Sequence, residues 1–445
     1  MIATRTPAAI ASPIIHRLAR LLIVSLCGGL ALLASGCARG SFTAGEPLQA
    51  LVDGQAGVSP GLSGLAAVVV DRAGERRAEA RGLAVIDPAA SRAMTVDAPL
   101  RVASVSKLVT TLGVLRLVEQ GRLDLDRDVS DYLGWRFRNP AHPDVPISLR
   151  LLLSHRSSLL DDGGYFFPLG ATLQGSLSAK SWHAQPPEAV FSYTNLNFGV
   201  AASVMERVTG ERFDRLMRRL VLEPLAIDAC YNWSGCSADA ISRAAVLYRK
   251  SSNEEGWAPS ADWVAQVDDL RARPPACLVR LAAPDAACDL AAYRPGDNGT
   301  LFAPQGGLRI SVRDLGRIAR LLLNDGELDG VRLLKPETVQ LMLTPVWRQG
   351  EGTTGESYGG LMRCYALSVQ CLIGGGDQPV AGDPRWLGHM GDAYGLWSGI
   401  WIDRVAGRGY AYAVTGTAAD PAGYAGKRSN FRAYEEALLE ELVVP

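Results

Sequence analysis

The sequence predicts an α/β (α+β) fold in which one antiparallel sheet is built from both ends of the chain and is flanked by helices. Two observations predict it: strand-like apolar runs cluster near the two ends, and helical periodicities fill the middle. Strands that come from opposite ends leave the middle of the chain as an insertion. We therefore expect a mainly helical subdomain at about 122–300 within one domain that spans 61–445.

Composition excludes several classes of function. The 445 residues are 48% hydrophobic, which is ample for a large core, and 20% charged, with a formal net charge of −1. This balance gives no electrostatic basis for a nucleic-acid partner. The chain has five histidines and no His-Glu-x-x-His motif, so we expect no metal site, and we expect no cofactor.

Residues 1–36 are predicted to be a signal peptide of the lipoprotein type. A basic stretch that ends at Arg20 precedes the apolar run 21–33, which is too short for a stable transmembrane helix. The run ends in Leu-Ala-Ser-Gly-Cys, which resembles a bacterial lipoprotein signal with Cys37 as the lipid-bearing residue. This predicts a membrane anchor in the bacterial cell envelope, with the domain facing the periplasm. The alternative is cleavage at a nearby site, which would give a soluble periplasmic or secreted protein.

The chain after the signal is predicted to begin with a tether and a β-hairpin. The small and polar residues of 37–60, with Gly and Pro among them, are typical of a flexible linker. The β-branched run 65–71 is then followed by a turn and by a second strand-like run at 77–84. We expect these two runs to pair as the hairpin that opens the domain.

Helices dominate the prediction for the middle of the chain. Apolar residues from Leu108 to Val118 recur at a near-helical period, and Gly121 ends that period. Shorter helical patterns follow at 129–133, 147–154 (with Ser148 as N-cap), 195–207 and 213–222. The segment 251–299 shows no sustained period and is predicted to be a long irregular loop, either a wall of the site or a surface excursion.

The last third of the chain returns to strands between two helices. Ser311 is a candidate N-cap for a helix over 312–324. The runs 399–403 and 410–415 read as strands joined by a Gly-rich turn, and 431–442 reads as a closing amphipathic helix.

The cysteines indicate disulfide bonds. Six remain after Cys27 and Cys37 are set aside, and an even count in an exported chain favours disulfides. Sequence alone permits many pairings, but loop-closure entropy favours local ones. The predicted pairs are Cys230 with Cys236, Cys277 with Cys288, and Cys364 with Cys371. Free buried thiols are the alternative, and the absence of Cys-x-x-Cys argues against zinc.

The first candidate for chemistry is Ser104 with Lys107. Ser104 stands just ahead of the predicted helix, and the spacing of one helical turn places the hydroxyl and the amine on the same helix face. A serine hydroxyl becomes a useful nucleophile when a neighbouring base takes its proton, and burial can lower the pKa of a lysine enough for this. The positive end of the helix dipole can stabilise an oxyanion beside Ser104. The alternative interpretation is that Ser104 only caps the helix.

Two further motifs complete the constellation. Tyr193 and Asn195 stand just before a predicted helix; a tyrosine hydroxyl can act as general base or proton shuttle beside an ammonium, and an asparagine amide can meet both the amine and a substrate carbonyl. His389 opens His-Met-Gly, which on a strand edge would present backbone N–H groups to a bound acyl group. Tyr193 as a core-edge aromatic and His389 as a structural residue are the alternatives.

These motifs, in this order, resemble the serine β-lactamase and penicillin-binding-protein superfamily, specifically its class C β-lactamase-like branch. The segment 151–159 looks like the family's LLxHxSGL, with Ser158 where Gly is usual, and 304–315 is similar to its AGGLxSTxxDLxRF segment. The resemblance covers about 65–442 and implies a β-lactamase/transpeptidase-like fold. His155, within the first segment, is expected to be structural.

The resemblance implies a role for each residue. Ser104 would be the acylated nucleophile, Lys107 its activating partner and Tyr193 the general base. Asn195 would position the substrate.

The third motif departs from the β-lactamase pattern. His389 takes the place of a Lys that commonly meets the substrate carboxylate, and a histidine is mostly neutral at pH 7. Gly391 would belong to the substrate-binding and oxyanion residues, and the backbone N–H groups of Asp392 and Ser104 would form the oxyanion hole. The Asp392 carboxylate would oppose the developing charge unless it points away.

The predicted function is that of an exported serine hydrolase that cleaves an ester or amide through an acyl-enzyme on Ser104. Its partner would be a small-molecule or peptide-like acyl substrate. One alternative is a β-lactamase, D-Ala-D-Ala carboxypeptidase or D-aminopeptidase. A second is a non-catalytic cell-wall binding module, since fold does not imply function.

Overall fold

The computed structural model describes residues 46–54, 57–253, 256–269, 281, 287–352, 354–374, 376–380, 382 and 385–443. The predicted signal peptide and Cys37 lie outside these residues. The helices are α1 Glu46–Val52, α2 Val105–Glu119, α3 Val129–Leu133, α4 Leu149–Leu153, α5 Leu173–Ser176, α6 Leu196–Thr209, α7 Phe213–Met217, α8 Ala238–Arg243, α9 Val312–Leu323, α10 Pro336–Leu343 and α11 Ala433–Val443.

Apart from one pair of longer strands in the middle of the chain, the strands are short except near the two chain ends. They are β1 Leu62–Asp71, β2 Glu75–Val85, β3 Arg92–Ala93, β4 Leu100–Arg101, β5 Val190–Phe191, β6 Leu247–Ser251, β7 Pro259–Val267, β8 Arg309–Ile310, β9 Glu327–Leu328, β10 Val331–Arg332, β11 Trp347–Arg348, β12 Thr354–Gly355, β13 Cys364–Tyr365, β14 Gln370–Cys371, β15 Leu387–Ala393, β16 Leu396–Asp403 and β17 Arg408–Thr417.

The two chain ends meet in a nine-stranded antiparallel sheet with the order β11-β13-β14-β15-β16-β17-β1-β2-β3. The last strand lies beside the first, with Val68 opposite Ala411. The predicted sheet and its opening hairpin are therefore confirmed, and the helix-rich middle of the chain is the insertion between the two halves.

Alternate residues of the central strands face two separate cores, because side chains along a strand point to opposite faces in turn. On the serine face, Val68 and Ile400 lie in one apolar cluster with α2 and α9. On the terminal-helix face, Ala67 and Trp397 lie in another cluster with α1 and α11. Both faces of the sheet are therefore covered, and the central strands β1, β16 and β17 are buried on both sides.

Helix α1 corrects the prediction that all of 37–60 is a tether. Leu48 is 0% exposed and Leu51 is 5% exposed, and both belong to the cluster that holds α11. Residues 46–52 are therefore part of the fold. The sequence-based interpretation missed them because a seven-residue helix has too few apolar positions to establish a period.

Strand β7 corrects the prediction that 251–299 is irregular throughout. It pairs antiparallel with β6, and Tyr248 lies opposite Ala265. Most of its side chains are exposed or only partly buried, so the strand lacks the apolar alternation by which strands are recognised. Pairing with β6, rather than an apolar pattern in its own sequence, stabilises this strand.

Two of the three predicted disulfides lie within the described residues. Cys230 bonds to Cys236 and Cys364 bonds to Cys371, with Cα–Cα distances of 5.2 and 5.0 Å. Cys288 is disulfide-bonded, but Cys277 lies outside the described residues, so that pairing stays a prediction. Within the part of the chain that is described, no helix has the length and hydropathy to cross a bilayer.

Candidate active site

Ser104 lies at the amino end of α2, and its hydroxyl is free to act outside the helix. The residue is partly exposed, and its side chain makes no capping hydrogen bond to the helix. The preceding Ala103 has a φ of +46°, a left-handed conformation that a non-glycine residue seldom adopts. Such backbone strain is common at functional sites. The alternative of a helix-capping serine is therefore not what the structure shows.

Lys107 brings the second motif and the segment 304–315 to the serine. Its Nζ lies 2.9 Å from Ser104 Oγ and 2.8 Å from Asn195 Oδ1. A third bond, of 3.0 Å, reaches the backbone oxygen of Gln305, just ahead of the Gly-Gly pair in the segment 304–315. Helix α2 therefore presents one amine to groups that are far apart in the chain.

The surroundings of Lys107 favour its neutral form. The side chain is 0% exposed, and Nζ lies 4.7 Å from the centre of the Tyr193 ring and 5.5 Å from that of Phe198. This burial lowers the pKa of Lys107 to about 7, and the negative charge of Asp161 opposes the decrease. A neutral amine 2.9 Å from a hydroxyl can accept its proton.

Tyr193 lies against both Lys107 and Ser104. Burial raises the pKa of its hydroxyl well above the usual value, and the Ser104 hydroxyl is the group that opposes the rise. The phenol is therefore neutral in the resting site. Its ring stacks on His155, with centroids 4.3 Å apart and planes 30° apart.

Asn195 is oriented by Asp161, a residue that the sequence analysis missed. Asp161 Oδ2 accepts from the backbone N–H and from Nδ2 of Asn195, both at 2.9 Å, and Oδ1 accepts from Leu196 N at 3.0 Å. These bonds cap α6 and turn Asn195 Oδ1 toward Lys107. The sequence signal was weak, because Asp161 lies 34 residues before Asn195 and outside any motif.

Gly391 lets strand β15 approach the serine closely. A Cβ at this position would lie 2.6 Å from Val102 O and 3.2 Å from Ser104 N. No larger residue fits such a gap without moving the backbone. The structure therefore gives a steric reason for a glycine at position 391.

The backbone of Asp392 faces the site, whereas its side chain does not. Met390 N–H donates to Gln370 Oε1, and so points away from β16 toward the β14 side. Residues two apart in a strand point their N–H groups the same way, so the Asp392 N–H points to the same edge. Its side chain shares a face with Met390 and Trp397, which is the terminal-helix face. The carboxylate is therefore directed away from an oxyanion at Ser104.

His389 is buried rather than presented to solvent. The residue is 0% exposed; Nδ1 lies 2.5 Å from Met390 O, and Nε2 lies 2.9 Å from Tyr365 OH. Burial lowers the pKa of His389 to about 3, and the nearby Lys107 adds to the decrease. The ring is neutral at neutral pH, so it supplies no positive charge for a substrate carboxylate.

Tyr358 forms an aromatic rim that the sequence analysis did not predict. It is 41% exposed, its φ is +51°, and its hydroxyl donates to Tyr193 O at 2.8 Å. The two rings meet edge to face with centroids 5.6 Å apart.

No cluster of three or more His, Cys, Asp or Glu able to hold a metal occurs among the described residues.

Comparisons with known proteins agree with the architecture. A family model described as Beta-lactamase matches residues 48–434. The chain is 28% identical over 201 residues to the D-alanyl-D-alanine-carboxypeptidase/endopeptidase AmpH of Escherichia coli K12, which covers 43% of this chain and 50% of the relative. It is 33% identical over 187 residues to the esterase EstB of Burkholderia gladioli, which covers 37% and 46%. The chain thus spans about half the length of the curated relatives it matches.

Solved structures share the fold. EstCE1, described as a hydrolase with promiscuous acyltransferase activity, superposes with a TM-score of 0.63 at 19% identity, over 90% of this chain and 98% of its own. At this identity the likeness establishes the fold alone.

Proposed function

Because the chain belongs to the beta-lactamase family, we propose that it is a serine hydrolase that cleaves an ester or amide through an acyl-enzyme on Ser104. The relatives include esterases and carboxypeptidases, which supports hydrolysis as the general reaction. The observation that carries the proposal is the contact of 2.9 Å between a partly exposed serine hydroxyl and a buried lysine amine.

In the acylation step, Ser104 Oγ attacks the acyl carbonyl and its proton passes to the neutral amine of Lys107. The carbonyl electrons move onto oxygen, and the N–H groups of Ser104 and Asp392 stabilise the resulting oxyanion. The intermediate then collapses, the bond to the leaving group breaks, and the leaving alkoxide or amine takes a proton from the Lys107 ammonium. An ester on Ser104 remains.

Tyr193 acts in this scheme as a proton relay. Its raised pKa makes the phenol a poor resting base, so the role of general base that the family resemblance implied passes mainly to Lys107. We propose that the phenol still relays a proton between the amine, the serine and the leaving group, because the Lys107 amine faces its ring and the Ser104 hydroxyl acts on its pKa. Water then repeats the sequence on the ester, regenerating Ser104 and releasing the acid.

The substrate is proposed to be an ester or amide whose acyl group carries no carboxylate close to the scissile bond. The neutral and buried His389 supports this, because it offers no charge where the β-lactamase motif has a Lys. We further propose assignment to the class C-like branch, export, lipid anchoring at Cys37 and a periplasmic location, which rest on the sequence motifs alone.

The proposal is tested by covalent labelling. A fluorophosphonate probe should label the folded protein at a single serine, with mass spectrometry locating the adduct on Ser104, and Ser104→Ala should abolish it. Ser106→Ala is the matched control, since Ser106 lies two residues along α2 and bonds to Ala103 O and Leu308 N. Folded protein that takes up no label would favour a binding module instead.

A substrate panel then resolves the reaction. Neutral p-nitrophenyl esters, D-amino acid amides and cephalosporins would be compared by kcat/KM. Preference for the esters supports the substrate class proposed here, whereas efficient cephalosporin turnover would contradict it.

A further inference from the structure

A buried chain of three polar side chains lies behind the proposed site. His155 Nε2 lies 3.2 Å from Tyr365 OH, which lies 2.9 Å from His389 Nε2. His155 is 1% exposed, and the other two are 0% exposed. Polar groups this deeply buried must satisfy one another, because a buried donor or acceptor without a hydrogen-bond partner destabilises the fold.

The proton positions on the two histidines follow from their outer partners. A backbone carbonyl can only accept, so His389 Nδ1 carries the proton that goes to Met390 O, and its Nε2 is an acceptor. A backbone N–H can only donate, so His155 Nδ1 accepts from Thr194 N at 2.9 Å, and its Nε2 carries the proton.

These two assignments are independent, and they meet at Tyr365. The tyrosine hydroxyl must accept from His155 Nε2–H and donate to His389 Nε2, which is the single arrangement that satisfies all three side chains. A hydroxyl carries one donor and two lone pairs, so it fits both demands. A phenylalanine at this position would leave a donor on one side and an acceptor on the other without partners.

The two histidines at the ends of this hydrogen-bonded chain contact different parts of the proposed active site. The His155 ring stacks on Tyr193, and His155 Nδ1 accepts from the backbone N–H of Thr194, the residue that follows Tyr193. His389 belongs to β15, two residues before Gly391. The hydroxyl of Tyr365 thus joins His155, which stacks on the phenol of the site, to His389 of the strand that carries the proposed oxyanion donor by hydrogen bonds. The Tyr193 and His389 rings also contact each other directly, with centroids 6.1 Å apart, but this contact is not a hydrogen bond.

We propose that Tyr365 is a positioning residue for acyl transfer, because its hydroxyl fixes the Tyr193 ring, through His155, relative to the backbone of β15, through His389. The proposal rests on the proposed function. It predicts that losing this one oxygen misplaces the phenol and the oxyanion donor relative to each other, and that substrate binding at the outer rim is largely unaffected.

Tyr365→Phe tests the proposal, with Tyr412→Phe as the matched control. Tyr412 is also 0% exposed and lies in the same sheet, but its hydroxyl donates to Glu435 on the terminal-helix face. With a p-nitrophenyl ester, and with kcat referred to the concentration of serine that the fluorophosphonate titrates, Tyr365→Phe should lower kcat by about 10- to 100-fold with little change in KM. Tyr412→Phe should leave kcat per titrated serine unchanged.

Titrating the active serine separates positioning from folding. A variant that is merely less stable loses titratable serine but keeps its kcat per site. Equal kcat per titrated serine in Tyr365→Phe and in the wild type would overturn the proposal. A wild-type protein that takes up no fluorophosphonate would instead overturn the proposed function, so the two failures are distinct.

Nuclear magnetic resonance of the wild type supplies a readout that needs no activity. Selective ¹⁵N-histidine spectra should show His155 protonated at Nε2 and His389 protonated at Nδ1, with both neutral from pH 5 to pH 8. The opposite tautomer at either residue would contradict the chain of bonds through Tyr365. In Tyr365→Phe, both ring signals should shift, whereas Tyr412→Phe should leave them in place.

Discussion

At the scale of single residues, the proposed mechanism makes Lys107 the group that activates Ser104. The sequence placed the amine one turn from the hydroxyl, and the structure adds the reason that it can act as a base, which is burial between Tyr193 and Phe198. An exposed lysine would hold its proton at neutral pH and could only donate.

The pH dependence of the reaction follows from this residue. The protonated amine has no lone pair, so only the neutral fraction is active, and that fraction grows as pH rises through the pKa of about 7. We expect log kcat/KM for a neutral p-nitrophenyl ester to rise with pH below about 7 and to level off above it. Ser104→Ala supplies the background rate, and a profile that falls over this range would exclude the neutral amine as the base.

Lys107→Arg removes the base and places a permanent positive charge at this position. A guanidinium stays protonated in proteins, so it cannot accept the serine proton, and kcat/KM should fall by about 100- to 10,000-fold. The loss should persist up to pH 9, because no ionisation restores a base. Thermal unfolding of the same preparation checks that the variant is folded.

Sequence reasoning found the residues that lie in motifs and missed those held only by tertiary contact. Ser104, Lys107, Tyr193 and Asn195 converge in space as predicted from their order. Asp161 follows no spacing rule, because its carboxylate meets the start of α6 from a separate loop. Only the completed fold brings such a residue to the site.

At the scale of elements, the β13–β14 hairpin holds β15 in place. Tyr365 and Gln370 lie opposite each other in the hairpin, and their side chains bond to His389 Nε2 and Met390 N. The Cys364–Cys371 disulfide joins the same two strands. The predicted disulfide therefore lies next to the side chains that bond to β15, the strand proposed to supply an oxyanion donor.

Replacing both cysteines of this disulfide by alanine should lower stability and activity together. The chain-entropy model gives a loss of about 2.5 kcal/mol in the free energy of unfolding for a loop of this size. The Cys230–Cys236 pair closes a loop of similar length and is the control. Denaturant unfolding should show similar losses for both double variants, whereas kcat per titrated serine should fall only for the 364/371 variant. A fall in both would indicate a general effect of losing a disulfide.

Local pattern failed for two elements for the same physical reason. Helix α1 and strand β7 are stabilised by the surfaces they pack or pair with, and neither has a long apolar period of its own. The long strands β1, β16 and β17, by contrast, are apolar on both faces and were recognised as strands.

At the scale of the whole molecule, the sheet depends on elements from both chain ends. Leu48 of α1 packs in the same cluster as α11, although nearly 400 residues separate them in sequence. Order in one terminal helix therefore supports order in the other.

Leu48→Ala measures this dependence. Removing a fully buried leucine side chain should lower the free energy of unfolding by about 2–5 kcal/mol. Leu341→Ala, at a position that is 37% exposed, should change it by less than about 1 kcal/mol. Urea unfolding followed by tryptophan fluorescence compares the two. An unchanged midpoint for Leu48→Ala would mean that α1 does not contribute to the fold in solution.

The position of α1 also determines through which end the protein can be immobilised. Helix α1 packs on the terminal-helix face of the sheet, whereas Ser104 lies on the other face. A group fused ahead of residue 46 is therefore attached on the face opposite Ser104. Immobilisation on a resin through the amino end should therefore leave the nucleophile accessible to macromolecular substrates as well as small ones.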